Sequence, residues 1–305
     1  AQVASAPINP NEAVVLPSAS GWRTKMVAGA GYHELSGNRD RDGTQIHEFT
    51  GLGLSVNAAI KVGEGLFLEA SGQSSTRDVK GTPYYDGAIN LLTTQTRASI
   101  AIAGQDFATI GLGASTRQTT DRVSDALKSE VTTQSGILGS VGISLGENLF
   151  IGLGGERIKE VSDYKVENTW INYIGGIAFQ AGTPDGVQFR LEGASIYSGD
   201  SEKDADDDLA ANEHPATTTI RLNAEMMFSG LLFNGSSVTT TQDQEVTDAS
   251  TDVTVTSIKE STTEVGVLWV PQDGMVLGFS FVTRLLENTF TDTLSEFRVK
   301  IGYIF

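Results

Sequence analysis

Thr293 to Phe305 reads TLSEFRVKIGYIF and closes the chain. Phe297, Val299, Ile301, Tyr303 and Phe305 take every second position, and Glu296, Arg298, Lys300 and Gly302 fall between them. Successive side chains of a strand point to opposite faces, so one face here is apolar and the other charged or small. On a soluble sheet edge such a strand invites aggregation, whereas in a closed barrel crossing a bilayer each face meets the solvent it suits.

Working back from this strand, the same alternation recurs in segments of about 13 to 18 residues, from Gly21–Ser36 through Leu149–Tyr164 to Met275–Thr289. A membrane strand needs only about 9–11 residues. With Thr293–Phe305 the segments number about fourteen; Val166–Ala181 and Leu231–Glu245 are the least clearly patterned, which leaves twelve and sixteen open. Short turns at Gly63-Glu64, Gly104 to Asp106, Gly146 to Asn148, Thr183 to Gly186, Ser229-Gly230 and Pro271 to Gly274 join every second pair, and longer polar links join the rest. Six short turns and seven longer links with both termini at the short-turn end is the arithmetic of an even-stranded up-and-down barrel. The expected fold is therefore all-β: one antiparallel up-and-down transmembrane β-barrel over residues 21–305, preceded by an N-terminal periplasmic arm or plug over residues 1–20. A soluble β-sandwich, burying the same apolar faces between two sheets, is the competing fold.

No apolar run approaches the ~20 residues of a membrane helix. The chain opens AQVASAP without a basic or apolar leader region, as a mature secreted chain would, and it has 0 Cys. Its formal charge is −17, from 38 acidic and 21 basic residues, which disfavours nucleic acid or an anionic membrane surface as a partner.

The two faces recur along the chain. Leu52, Leu54, Val56, Ala58 and Ile60 alternate with Gly51, Gly53, Ser55 and Asn57, and Ile220, Leu222, Ala224, Met226 and Phe228 with Arg221, Asn223 and Glu225. Val187, Phe189 and Leu191 oppose Gln188, Arg190 and Glu192; Val265, Val267 and Trp269 oppose Glu264 and Gly266. An Arg or Lys on the lipid face at the midplane costs about 2–4 kcal/mol, so the apolar sets are expected outside. The inward candidates are then Arg23, Lys25, Glu69, Arg97, Glu156, Arg190, Glu192, Arg221, Glu225, Arg284, Arg298 and Lys300, lining a lumen as a selectivity constriction or bracing the wall through cross-strand ion pairs. Arg190 with Glu192 and Arg221 with Glu225 are the pairs to inspect first. Trp22, Phe107, Phe150, Phe179, Phe228, Phe233, Trp269, Tyr303 and Phe305 sit beside the short turns and read as an interfacial aromatic girdle.

Repeated Gly-x-Gly at Gly29/Gly31, Gly51/Gly53, Gly111/Gly113 and Gly152/Gly154 lacks the extension and helix of a nucleotide fingerprint. Inward Gly permit strand coiling or leave room inside. Gly142-Ile-Ser144-Leu-Gly146 matches a nucleophile pattern but runs along a strand into a turn, without the helix an elbow needs. His33 and His47 are expected to face each other across the first longer loop, yet no His-Glu-x-x-His spacing accompanies them. The acidic loop Asp200 to Glu213 lacks the Gly of a calcium loop and reads as solvated. No enzyme activity, metal or cofactor is expected.

The terminal Phe305, with Tyr303 two residues earlier and Phe297, Val299 and Ile301 alternating upstream, resembles the C-terminal signature of Gram-negative outer-membrane β-barrel proteins of porin-like type. The resemblance implies an outer-membrane location, reading of this strand by the barrel assembly machinery, contact with outer-membrane lipid, and homo-oligomers. Porin-like passive diffusion of small solutes or ions is the function it implies. The alternative is a non-conducting structural or lipid-handling barrel that oligomerises into a ring enclosing lipid, similar to the porin-like family of predatory bacteria, with the small Gly and Ala positions as packing features.

Overall fold

The computed structural model describes residues 27–304 apart from 42, 63–65, 82–86, 104–107, 123–129, 147, 164–166, 184–185, 200–215, 248–252, 270–273 and 288–290. For much of the second to fifth strands the backbone alone is described. The arm over residues 1–20, the inward candidates Arg23 and Lys25, the girdle members Trp22, Phe107 and Phe305, and the acidic loop lie outside the described residues.

Among the described residues fourteen strands follow one another: β1 Val27–Arg41, β2 Thr44–Val62, β3 Leu66–Gly81, β4 Gly87–Ala103, β5 Ala108–Arg122, β6 Glu130–Leu145, β7 Leu149–Ser162, β8 Glu167–Gly182, β9 Gln188–Ser198, β10 Thr217–Phe228, β11 Leu231–Thr247, β12 Val253–Trp269, β13 Gly274–Glu287 and β14 Thr291–Ile304. Each pairs antiparallel with its sequence neighbours, and β14 pairs with β1 from Val27↔Ile304 to Asp40↔Thr291, which closes the barrel and leaves no sheet edge. The two least patterned segments both form strands, β8 and β11.

At the short-turn end the turn between β10 and β11 is described in full. Between β10 and β11, Ser229 (φ 50) and Gly230 (φ 79) both take positive φ, the two-residue hairpin whose twist matches that of its strands. At the opposite end the first hairpin is longer than its sequence suggests. β1 continues to Arg41, the link to Thr44 is only Asp42-Gly43, and the register shifts between Arg39 and Asp40. The polar run Asn38-Arg-Asp-Arg41 hides this extension, because a strand past the bilayer edge is wet on both faces and loses its apolar period.

Burial is inverted relative to a soluble protein. Leu54 is 63% exposed, Ile137 72% and Phe279 56%, while Glu264, Glu296 and Arg298 are at most 4% exposed. A sandwich would bury that apolar set between sheets, so the competing fold is corrected. The outward set of the terminal strand, Phe297, Val299, Ile301 and Tyr303, is exposed throughout. Of the aromatics expected in the girdle, Phe179, Phe228, Phe233, Trp269 and Tyr303 are exposed. Phe150 is a correction: it shares the parity of inward-facing Gly152 and Glu156 and leaves the girdle.

Candidate functional site

The inward face of β12, β13, β14 and β1 carries a charged belt. Register creates it, setting Glu264 opposite Val282, Val282 opposite Glu296, Ser280 opposite Arg298, and Arg298 opposite His33. Arg298 is its hub. Its Nη2 and Nε donate to Glu296 Oε2 at 2.6 and 3.2 Å, and its Nη1 to Glu264 Oε2 at 3.5 Å. Lys300 Nζ donates to Glu264 Oε1 at 2.6 Å, and Arg284 Nη2 to Glu296 Oε2 at 3.3 Å. Three cations thus share two carboxylates, and at this depth a charge is tolerated only when so paired.

His33, 4% exposed, shares a hydrogen bond through Nε2 with Ser55 Oγ at 2.8 Å, and its Nδ1 lies 3.9 Å from Glu296 Oε1. Glycine makes this possible: a Cβ on Gly31 would lie 2.7 Å from Ser55 Oγ. The expected facing of His33 and His47 is overturned. His33 pairs with Gly53 and Arg298, whereas His47 pairs with Arg39 and Gly81 nearer the outer end. Toward that end Arg39 grips Asp292 in a fork, Nε to Oδ1 at 2.6 Å and Nη2 to Oδ2 at 2.7 Å.

Elsewhere on the inner wall, Arg190 donates to Glu192 at 3.3 Å. Arg190 also stands opposite Glu225, which accepts from Asn223 at 3.3 Å. Arg221 has the same inward parity and stands opposite Ala194 and Val238. Glu156, 7% exposed, accepts from Ser115 Oγ at 3.1 Å, over Gly136, where a Cβ would lie 2.7 Å from its Oε1. In the row of Glu156, Ser198 donates to Asn172. Leu138, Ile174, Ala194 and Ile196 form an apolar patch nearby. Glu69 and Arg97 are opposite each other in register on β3 and β4, their side chains lying outside the described residues.

The belt therefore joins the candidates Arg284, Arg298 and Lys300, and keeps Arg190, Glu192, Arg221 and Glu225 apart from them on β9 and β10. The sequence-based candidates omit Glu264, Glu296, His33, Asp292 and Ser115. Parity alone placed Glu264 and Glu296 on the charged face; their shared partner depends on the β12–β13–β14 register, which no single strand reveals. Gly142 to Gly146 ends β6 and turns directly into β7, so no helix follows Ser144.

No protein-family model matches the chain, and no curated protein matches its sequence. Solved structures do match in shape. The toluene transporter TbuX of Ralstonia pickettii is 12% identical, with 93% of this chain and 90% of that one covered, at a TM-score of 0.54. The toluene transporter TodX of Pseudomonas putida is 7% identical over 95% and 91%, at 0.55. A FadL homologue of Pseudomonas aeruginosa is 8% identical over 94% and 92%, at 0.54. These are outer-membrane β-barrels of Gram-negative bacteria. At such identities the likeness is one of fold, and with its apolar outward face this chain has the architecture of a Gram-negative outer-membrane β-barrel.

Proposed function

We propose that this chain is an outer-membrane transport barrel through which small solutes or ions diffuse passively, without covalent chemistry and without a cofactor. The carrying observation is the contrast between the two faces of one closed wall. Outside, large apolar residues are exposed; inside, Arg190, Glu192, Arg221, Glu225 and the belt around Arg298 present fixed charges of both signs. Charged linings of this kind set which ions enter a water-filled passage. A barrel of fourteen strands is wider than the eight-stranded kind that side chains can fill. The hydrocarbon solutes named for TbuX and TodX are theirs and are not carried over to this chain.

A second reading is supported by one observation: along β12 and β13 several inward residues have almost no accessible surface, with Leu268 and Ser280 at 2% and Val282 at 1%. A wall covered this closely favours a barrel that does not conduct and works as a structural or lipid-handling subunit, ring-forming as in the porin-like family of predatory bacteria. Liposome swelling separates the two. Vesicles carrying the inserted barrel, diluted into isotonic arabinose, should swell at a rate proportional to protein content. Swelling no faster than in protein-free vesicles would favour the second reading.

A further inference from the structure

Arg157 breaks the rule that governs the outside of this barrel. On β7 the outward positions run Leu153, Gly155, Arg157, Lys159, while Gly152, Gly154 and Glu156 face in. Arg157 is exposed, and it stands between two exposed aliphatics on neighbouring strands, Ile137 (72%) and Ile171 (38%). Among the described residues its guanidinium has no hydrogen bond or ion pair. The next row outward is polar, Ser135, Lys159 and Thr169, and Lys159 there meets Glu167 at 2.6 Å with both side chains more than half exposed. A pair that open contributes little and leaves Lys159 free to exchange partners.

Height gives the arrangement its meaning. Leu149, opposite the girdle residue Phe179, lies eight residues below Arg157. At about 3.3 Å per residue and a strand tilt of about 40°, Arg157 stands about 20 Å above the girdle, near the upper edge of an apolar band about 25 Å tall. A guanidinium at the midplane would be expelled; at the edge its stem lies along Ile137 and Ile171 while its head reaches the headgroups. Tyr173 and Tyr197 stand just below, in the row of Gly155. They stack outward with ring centroids 6.5 Å apart, Tyr173 standing opposite Gly155 and 59% exposed, as amphipathic rings do at an interface.

We infer that Arg157 and Lys159, flanked by the tyrosine pair, form a site on the outer wall for the phosphate of a lipid headgroup in the leaflet away from the short turns. In outer-membrane barrels that is the external leaflet. A guanidinium forks onto phosphate oxygens, an ammonium two residues along the same face adds a second charge, and the tyrosine hydroxyls offer further donors. The site rests on the outer-membrane reading of the barrel.

The test uses the full chain, first scored for folding and insertion, so that failure to insert counts against the outer-membrane reading rather than against the site alone. Native mass spectrometry then compares dissociation constants for diphosphoryl lipid A with those for the same lipid stripped of phosphate. Wild type should prefer the phosphorylated lipid. R157Q together with K159Q should lose roughly 25-fold in affinity, about fivefold per cation, while the inward R190Q keeps wild-type affinity. Equal affinity for the two lipids by wild type would overturn the site without recourse to any variant. So would an unchanged affinity in the double variant, or inorganic phosphate displacing the lipid at equimolar concentration.

Discussion

Arg298 is 2% exposed and holds Glu296 and Glu264 on either side of it, with Lys300 and Arg284 completing the neutralisation. Removing one member of a buried ion pair leaves an uncompensated charge, at a cost of about 3–5 kcal/mol. Arg298→Gln should therefore lower the unfolding free energy by about that amount in urea titrations of the lipid-inserted protein. A loss under 1 kcal/mol would mean that water reaches the belt and screens it. The inward side of Arg298 was legible from TLSEFRVKIGYIF, since strand parity is a local property. Its dependence on Glu264, 34 residues away, was not, because cross-strand partners are set by register and turn length.

At the scale of the strand, the outward row of β13 makes the membrane claim concrete. Phe279 is 56% exposed and lies five residues above the start of its strand, about midway through the apolar band at about 3.3 Å per residue. Phe279→Arg should cost about 2–4 kcal/mol in folding into lipid vesicles; a neutral result would place this face in water. Turns give a second check. Ser229 holds φ 50 in a two-residue hairpin where Asn tolerates the left-handed region better, so Ser229→Asn should raise the urea midpoint by the equivalent of about 0.5 kcal/mol with an unchanged slope. Ser229→Val should lower it by more than 1 kcal/mol, since a branched Cβ crowds that conformation. Strand number was readable because each short turn carries Gly, Asn, Asp or Pro between alternating runs. Strand ends were harder: β1 reaches Arg41 through residues that carry no apolar period at all.

The whole molecule is one closed wall whose outside was legible and whose inside was read only in outline. Alternation says which side chains share a face, so the lipid-facing rows at Leu52 to Ala58 and Val187 to Leu191 could be named in advance. It carries no information about what lies across the lumen, and so could not foresee that charge gathers on β12 to β1 while Leu138, Ile174 and Ala194 make an apolar patch on β6, β8 and β9. Charge also lies beside that patch, at Glu156 on β7, Arg190 on β9 and Arg221 on β10, so the proposed passage has both kinds of lining. The most direct test of that passage is planar-bilayer conductance of the folded protein at two salt concentrations, with the cation/anion reversal potential. The account predicts discrete ohmic steps whose reversal potential shifts toward cations in Arg190→Gln and Arg221→Gln, each of which removes an inward positive charge. Protein that inserts but gives no steps, or steps whose selectivity ignores both substitutions, would contradict it.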